Sequence, residues 1–323
     1  MQQSVTSAFK VYLERSDLRP NSVRVKEKAL GYFVDWFSDL EIGQVNASIA
    51  EDYMVMIAKG RRKSAANTYL DNFKPFWRWM YDRQMIESNP FAHVGRYKTD
   101  RQVPKYFTCQ DLERMARYFD LLWRVRFCLG LLGCRRGEML NVLVKEVHLE
   151  TRDPHLEIQH KADSDTTWAW ATKNRSIRYV GLPCTMAIGT ETVELHRDIV
   201  QLMESLPANQ PYLCIEPGYY ERDMKLKAAG KMSQNLLNDP CGNFQRLFHT
   251  RQRWAGIIET KRFHELRAAY ITCIVESQGL KQAADAAGIK SIQTAARYDR
   301  KQIMTVIGNS NKITANSYKT YVP

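Results

Sequence analysis

Apolar residues recur at intervals of three and four through residues 1–95, and that period commits this stretch to helices rather than sheet. The spacing predicts one helix over 5–15. It predicts a second through Val23, Leu30, Phe33 and Trp36, with Asn21 or Ser22 as its cap. A third is expected over 48–58, where Ser48 and Glu51 stand at capping-box spacing. A fourth follows the basic run Arg61-Arg62-Lys63 and carries Tyr69, Phe73, Trp77 and Met80. Pro75 falls inside that fourth run, where a proline either kinks a helix or marks its first turn. Glu87-Ser-Asn-Pro-Phe91 closes a four-helix unit, 1–95. The polar, charged residues that follow give a linker, 96–106.

The second unit, 107–323, is mixed. Thr108 and Asp111 predict a capped helix start, and the helical pattern runs on to about residue 146. Then 155–159, 167–171 and 176–182 alternate and are rich in aromatic and β-branched residues, the pattern of short strands. From Thr185 the pattern returns to helix, broken by proline and glycine over 205–242. The expected class is mainly α with a small antiparallel sheet, an α+β arrangement.

Charge then narrows the partner. The chain of 323 residues has 47 lysines and arginines against 35 aspartates and glutamates, a net +12, which suits a polyanion. No run approaches the ~18 apolar residues of a membrane helix, and the N-terminal residues lack an apolar signal core. A soluble, cytoplasmic protein is expected, with no membrane partner. The seven cysteines form no CxxC pair, so reduced thiols are expected rather than a disulfide framework or a zinc site.

Four segments carry residues with chemical potential. In Gly133-Cys-Arg135-Arg-Gly-Glu138-Met-Leu140, Glu138 stands one helical turn from Arg135 and would orient its guanidinium; the neighbouring Arg136 is the alternative. Lys173 falls at a turn beside Asn174, where a lysine can reach a partner as a mobile acid. His264-Glu-Leu-Arg267 places a histidine and an arginine on one helix face. It is not a zinc motif, because H-E-x-x-H needs a second histidine where Ala268 stands. Tyr298 closes the series. Singly these read as a surface ion pair, a turn lysine, a packed histidine and a packed tyrosine. In this order they make one chemistry. Two arginines clamp a phosphodiester and stabilise the charge of its pentavalent transition state. A tyrosine hydroxyl attacks phosphorus and stores the bond energy as a phosphotyrosine. A histidine helps remove the phenolic proton, and a lysine protonates the leaving 5′ oxygen. No metal or cofactor is required.

On these residues the second unit resembles the tyrosine recombinase (phage integrase) family over nearly its whole length. Gly133-Cys-Arg135-Arg-Gly-Glu138-Met-Leu140 is similar to the family's G-x-R-x-x-E-L segment. Lys173 before Arg178-Tyr-Val-Gly-Leu-Pro183 is similar to its hairpin lysine and basic strand, and His264-Glu-Leu-Arg267 to its H-x-L-R box. Gly288-Ile-Lys-Ser-Ile-Gln-Thr-Ala-Ala-Arg-Tyr298 is similar to its nucleophile segment. The N-terminal unit resembles the family's core-binding domain at Asn67-Thr-Tyr, Phe76-Trp-Arg-Trp-Met80 and Asn89-Pro-Phe91. One position departs: the family has histidine or tryptophan where Ile289 stands, and Lys290 beside it is a candidate substitute.

The resemblance implies a catalytic set of Arg135, Lys173, His264, Arg267 and Tyr298, with Glu138 and Lys290 in support. Tyr318 and Tyr321 are rival nucleophiles, disfavoured by the spacing from Gly288. It implies a clamp around double-stranded DNA with inverted half-sites, with Arg61, Arg62 and Lys63 on backbone phosphates. A homodimer to homotetramer, a Holliday junction and a tail after Tyr298 docked on a neighbouring subunit follow from it. Two other activities fit the same residues: an accessory DNA-binding protein that no longer cuts, favoured by Ile289, and a type IB topoisomerase.

Overall fold

The computed structural model describes residues 3–14, 18, 20–99, 105–172, 177–233, 239–289 and 291–296. The chain divides into two compact units, Met1–Val103 and Pro104–Pro323.

The first unit contains helices α1 (Val5–Leu13), α2 (Pro20–Phe37), α3 (Ala47–Ala58) and α4 (Lys63–Asp82). Helix N-termini leave amides without intrahelical acceptors, and side chains fill the gap. Ser4 Oγ accepts from the Ser7 amide at 3.2 Å, and Asn46 Oδ1 from the Ile49 amide at 3.0 Å. The α3 cap is therefore Asn46, and the Ser48–Glu51 box expected from spacing is not used. Helix α2 starts at Pro20, which places Asn21 and Ser22 inside it rather than at its cap. Helix α4 runs through Pro75, which is neither a break nor a first-turn residue.

The stripes meet in an aromatic core. Phe9, Phe33, Tyr53, Phe73, Phe76, Trp77 and Phe91 are all fully buried, and Trp77 stacks on Phe91 at 5.5 Å and 16°. The chain beyond α4 folds back onto that helix. Asn67 donates to the Tyr97 carbonyl at 2.9 Å and accepts from its amide at 2.8 Å, and Lys74 Nζ donates to the Val94 carbonyl at 2.9 Å.

The second unit begins with α5 (Cys109–Tyr118), α6 (Leu121–Leu131) and the short α7 (Arg136–Leu140). The Thr108–Asp111 capping box forms with both hydrogen bonds, at 3.1 and 3.0 Å. Strands β1 (Val147–His148), β2 (His155–Ile158) and β3 (Arg178–Gly181) make an antiparallel sheet in that order. Leu156 stands opposite both Val147 and Val180. A hairpin, β4 (Met186–Ile188) and β5 (Glu191–Val193), precedes α8 (Leu195–Ser205). Then come α9 (Pro217–Ala228), α10 (Phe244–Trp254), α11 (His264–Gln278), α12 (Leu280–Ala286) and α13 (Ile292–Ala296). Trp123, Phe127, Phe244, Phe248, Phe263 and Leu266 lie at the centre of the core.

Two sequence expectations fail here. Residues 167–171 form no strand; a single bridge pairs Lys161 with Trp170. Their aromatic alternation serves as an anchor instead. Trp168 stacks on Tyr212 at 4.2 Å and 12°, and its indole N–H donates to Asn141 Oδ1 at 2.9 Å. The helix expected from Thr185 begins only at Leu195, because Gly189 at φ +59° turns the preceding residues into the β4–β5 hairpin.

Candidate functional site

Two glycine-terminated helix ends, one strand and the helices α7 and α11 build the candidate site. Helix α6 ends with Gly133 in the left-handed region at φ +84°. The Gly133 amide bonds to the Gly130 carbonyl and the Cys134 amide to the Leu129 carbonyl, the paired bonds of a Schellman cap. Helix α12 ends the same way. Gly288 lies at φ +59°, with its amide on Asp285 O and the Ile289 amide on Ala284 O. The motif glycines of the first and last segments are thus both helix caps. Gly133 is needed for a second reason: a Cβ there would lie 2.5 Å from the Tyr270 ring.

Arg135 follows the first cap and precedes α7. Glu138, at the third position of α7, accepts from the Arg135 backbone amide at 2.8 Å through Oε2, and its Oε1 accepts from Arg135 Nη1. The carboxylate that caps the helix therefore also holds the guanidinium. Arg136, the alternative left open by the sequence, pairs elsewhere, with Asp239 at 3.5 Å.

Three arginines surround this one carboxylate. Arg178, from β3, donates through Nη2 to Glu138 Oε2 at 2.6 Å. Arg267, one turn into α11, has Nη1 at 3.9 Å from the same oxygen. Each arginine also takes one of three consecutive carbonyls at the end of α12. Arg178 Nη1 donates to Ala286 O at 3.2 Å, Arg267 Nη2 to Ala287 O, and Arg135 Nη2 to Gly288 O at 3.0 Å. The last carbonyls of a helix lack intrahelical donors, and here guanidiniums supply them. Gly133 O receives Arg267 Nη1 and, at 3.4 Å, Arg178 Nη2.

Exposure ranks the four groups. The Arg135 side chain is 26% accessible, Arg178 10%, Glu138 4% and Arg267 2%. Arg135 is thus the guanidinium most open to a ligand. Burial alone would raise the Glu138 carboxyl, but Arg178 and Arg135 outweigh it and hold its pKa at about 2. Arg267 is pulled down to about 10 by burial, then by Arg135 and Arg178, and still carries its charge at neutral pH. The cluster is therefore net positive at neutral pH.

The structure brings together Arg135, Glu138 and Arg267 of the sequence candidates. His264 is exposed at the first position of α11, one turn before Arg267. Lys173, Lys290 and Tyr298 lie outside the described residues, as do Tyr318 and Tyr321. Ile289 is the residue after the α12 cap glycine and packs with the apolar cluster of Tyr270, Ile271 and Ile274. Hydrophobic contact at that position is a regular part of a Schellman cap, which gives the isoleucine a packing role. Sequence reading missed Arg178 as a site residue. Its signal was its phase: it alternates with the buried Val180 and Leu182 and so points inward.

In the first unit, Arg61, Arg62 and Lys63 are exposed at the start of α4. Arg61 lies over the Tyr32 ring at 4.1 Å, Lys28 over the same ring at 6.0 Å, and Lys63 over Tyr97 at 5.9 Å. Among the described residues, no helix is long and apolar enough to cross a membrane.

No protein-family model matches the sequence, and no curated protein sequence matches it. Solved structures do match. A lambda integrase dimer bound to a COC′ core site superposes with a TM-score of 0.67 at 13% identity, covering 97% of this chain and 100% of that one. The Tn1549 transposon integrase in complex with circular intermediate DNA gives 0.65 at 16% identity, covering 90% and 93%. A lambda integrase tetramer bound to a Holliday junction gives 0.66 at 12% identity, covering 92% and 77%. Across nearly its full length this chain has the integrase fold, the fold that its resemblance to the tyrosine recombinases implied.

Proposed function

We propose that this protein is a site-specific DNA recombinase of the integrase type, which cleaves and rejoins strands through a 3′-phosphotyrosine. The observation that carries the reading is the convergence of Arg135 and Arg267 on one carboxylate and on the α12 carbonyls that lead to the Tyr298 segment. In the proposed reaction Arg135 and Arg267 stabilise the non-bridging oxygens of the scissile phosphate. The Tyr298 oxygen attacks phosphorus, with His264 assisting loss of its proton. The bond from phosphorus to the 5′ oxygen breaks, and Lys173 delivers a proton to that oxygen. Attack by a free 5′ hydroxyl reverses the sequence and rejoins strands. Glu138 orients Arg135, and Lys290 is the candidate for the phosphate contact that Ile289 does not make. The N-terminal unit is assigned to DNA binding, with Arg61, Arg62 and Lys63 on phosphates. Two protomers on inverted half-sites, pairing to a tetramer, complete the assembly.

A nicked suicide substrate tests this reading. The chain should form a covalent protein–DNA adduct that is lost in Tyr298→Phe. Binding without an adduct would leave the second reading, a DNA-binding protein on the same fold that no longer cuts, which Ile289 favours. An adduct with no recombinant product from two-site DNA would point to a topoisomerase.

A further inference from the structure

We propose that Arg178 is a positioning residue for the phosphate clamp: it holds Arg135 in place through the carboxylate of Glu138 that the two arginines share. The inference rests on the reading of Arg135 as a phosphate ligand.

Arg178 reaches Arg135 only through Glu138, on which both converge. Both of its terminal nitrogens are committed, Nη1 to Ala286 O and Nη2 to Glu138 Oε2 and Gly133 O. Its Nε is buried. Arg135 is the more open of the two side chains. Glu138 has three rotatable side-chain bonds, and fixing them costs rotamer entropy. Within the site, Oε1 is held by Arg135 Nη1. Oε2 is held by the Arg135 amide at 2.8 Å and by Arg178 at 2.6 Å. Without Arg178 the next cation for Oε2 among the described residues is Arg267, at 3.9 Å. The carboxylate would turn toward it and leave Arg135 less constrained.

The arm of Arg178 is itself clamped. A Cβ at Gly288 would lie 2.9 Å from Arg178 Cδ, so the glycine lets the backbone close over the side chain. That close approach joins β3 to the α12 cap, while the Glu138 bond joins it to α7. Charge gives a second reason. Among the described residues, three guanidiniums share one carboxylate, an excess of two positive charges. A pentavalent phosphorane formed from a phosphodiester carries two negative charges, against one in the ground state. Removing Arg178 halves the excess that favours the transition state.

Two measurements on Arg178→Met and Arg178→Lys decide the matter. The first needs no activity: nitrogen-15 spectroscopy of arginine side chains, with the Arg135 signals assigned through Arg135→Lys. The parent should show a guanidinium with slowed rotation about its Cζ–Nε bond, and Arg178→Met should show it averaged. A restrained Arg135 in Arg178→Met overturns the proposal. The second is single-turnover adduct formation on the nicked duplex at saturating protein. Arg178→Met should be slower by roughly 10–100-fold and Arg178→Lys intermediate. A substrate with a methylphosphonate at the scissile position lacks the charge that the clamp neutralises. On it the deficit should shrink to within about threefold. An equal deficit on both substrates, or none on the phosphodiester, also overturns the proposal. If the parent forms no adduct, the recombinase reading fails and the spectroscopy still decides whether Arg178 restrains Arg135. Should Arg178→Met not fold, Arg178→Lys carries both measurements, with a partly averaged Arg135 as the expected result.

Discussion

Replacing Glu138 with glutamine should destabilise the second unit by ~3 kcal/mol at neutral pH, and two independent routes give that figure. The first is linkage. The Glu138 carboxyl titrates at about 2 in the folded chain against an ordinary value of 4.5, held down against burial by Arg178 and Arg135. At about 1.4 kcal/mol per unit, that depression corresponds to ~3 kcal/mol. The group is 4% accessible, so solvent screening removes little of it. The second route is the cost of breaking a buried ion pair by removing one partner, which is about 3–5 kcal/mol. Here it would leave three arginines facing one another, with Arg267 already pulled down to about 10 by burial and the other two. The sign follows from the direction of the shift. A depressed carboxyl pKa contributes stability that is complete above ~4.5 and is lost as pH falls toward ~2. Urea unfolding of the parent and Glu138→Gln should therefore differ by ~3 kcal/mol at pH 7 and at pH 5, and the gap should close between pH 4.5 and 2. A gap below about 1 kcal/mol at pH 7, or one that persists unchanged at pH 2.5, would refute the assignment of Glu138 as the ionised hub of the cluster.

The two glycine contexts predict opposite signs. Gly133→Ala sets a Cβ at φ +84° and 2.5 Å from the Tyr270 ring, and should cost about 2–5 kcal/mol in urea unfolding. Gly31→Ala, within α2 and with nothing within 4 Å of the added carbon, should stabilise by about 0.5–1 kcal/mol. In the first unit, the triple change of Arg61, Arg62 and Lys63 to alanine should weaken duplex binding and lower the slope of log affinity against log salt by about 2–3. An unchanged slope in a binding titration over 50–200 mM salt, the range over which such slopes are commonly read, would remove those residues from the interface. Trp168→Phe keeps the stack on Tyr212 but strands Asn141 Oδ1 in the interior, and should lower the thermal midpoint through a loss of about 1–3 kcal/mol.

The elements that the sequence made legible are those whose signal is local. The 3.6 period of the N-terminal stripes, the Thr108–Asp111 box and the alternation of 155–159 each report a structure made within a few residues. One error arose where a local pattern served a distant partner. Trp168 and Trp170 alternate as strand residues do, but Trp168 is spent on Tyr212 and Asn141, far along the chain. Residues 186–193 looked helical until Gly189 and the pairing of Met186 with Val193 made a hairpin of them.

The candidate site divides along the same line. Arg135 and Glu138 were readable because they are one helical turn apart, and Arg135 rather than Arg136 because the carboxylate sits at the third helical position. Arg178 stands within a recognisable motif, but its place in the site is not local, since its partners come from residues 40 and 108 positions away. The motif glycines carried a similar ambiguity. Each reads as a catalytic-box marker, yet each is held by the stereochemistry of a helix end. Those helix ends expose the carbonyls that gather the arginines. The need to satisfy the carbonyls at the ends of α6 and α12 therefore brings Arg178 and Arg267 to Glu138, with Arg135 completing the set. On the proposed function, a phosphate arriving at Arg135 would meet a guanidinium already oriented by Glu138.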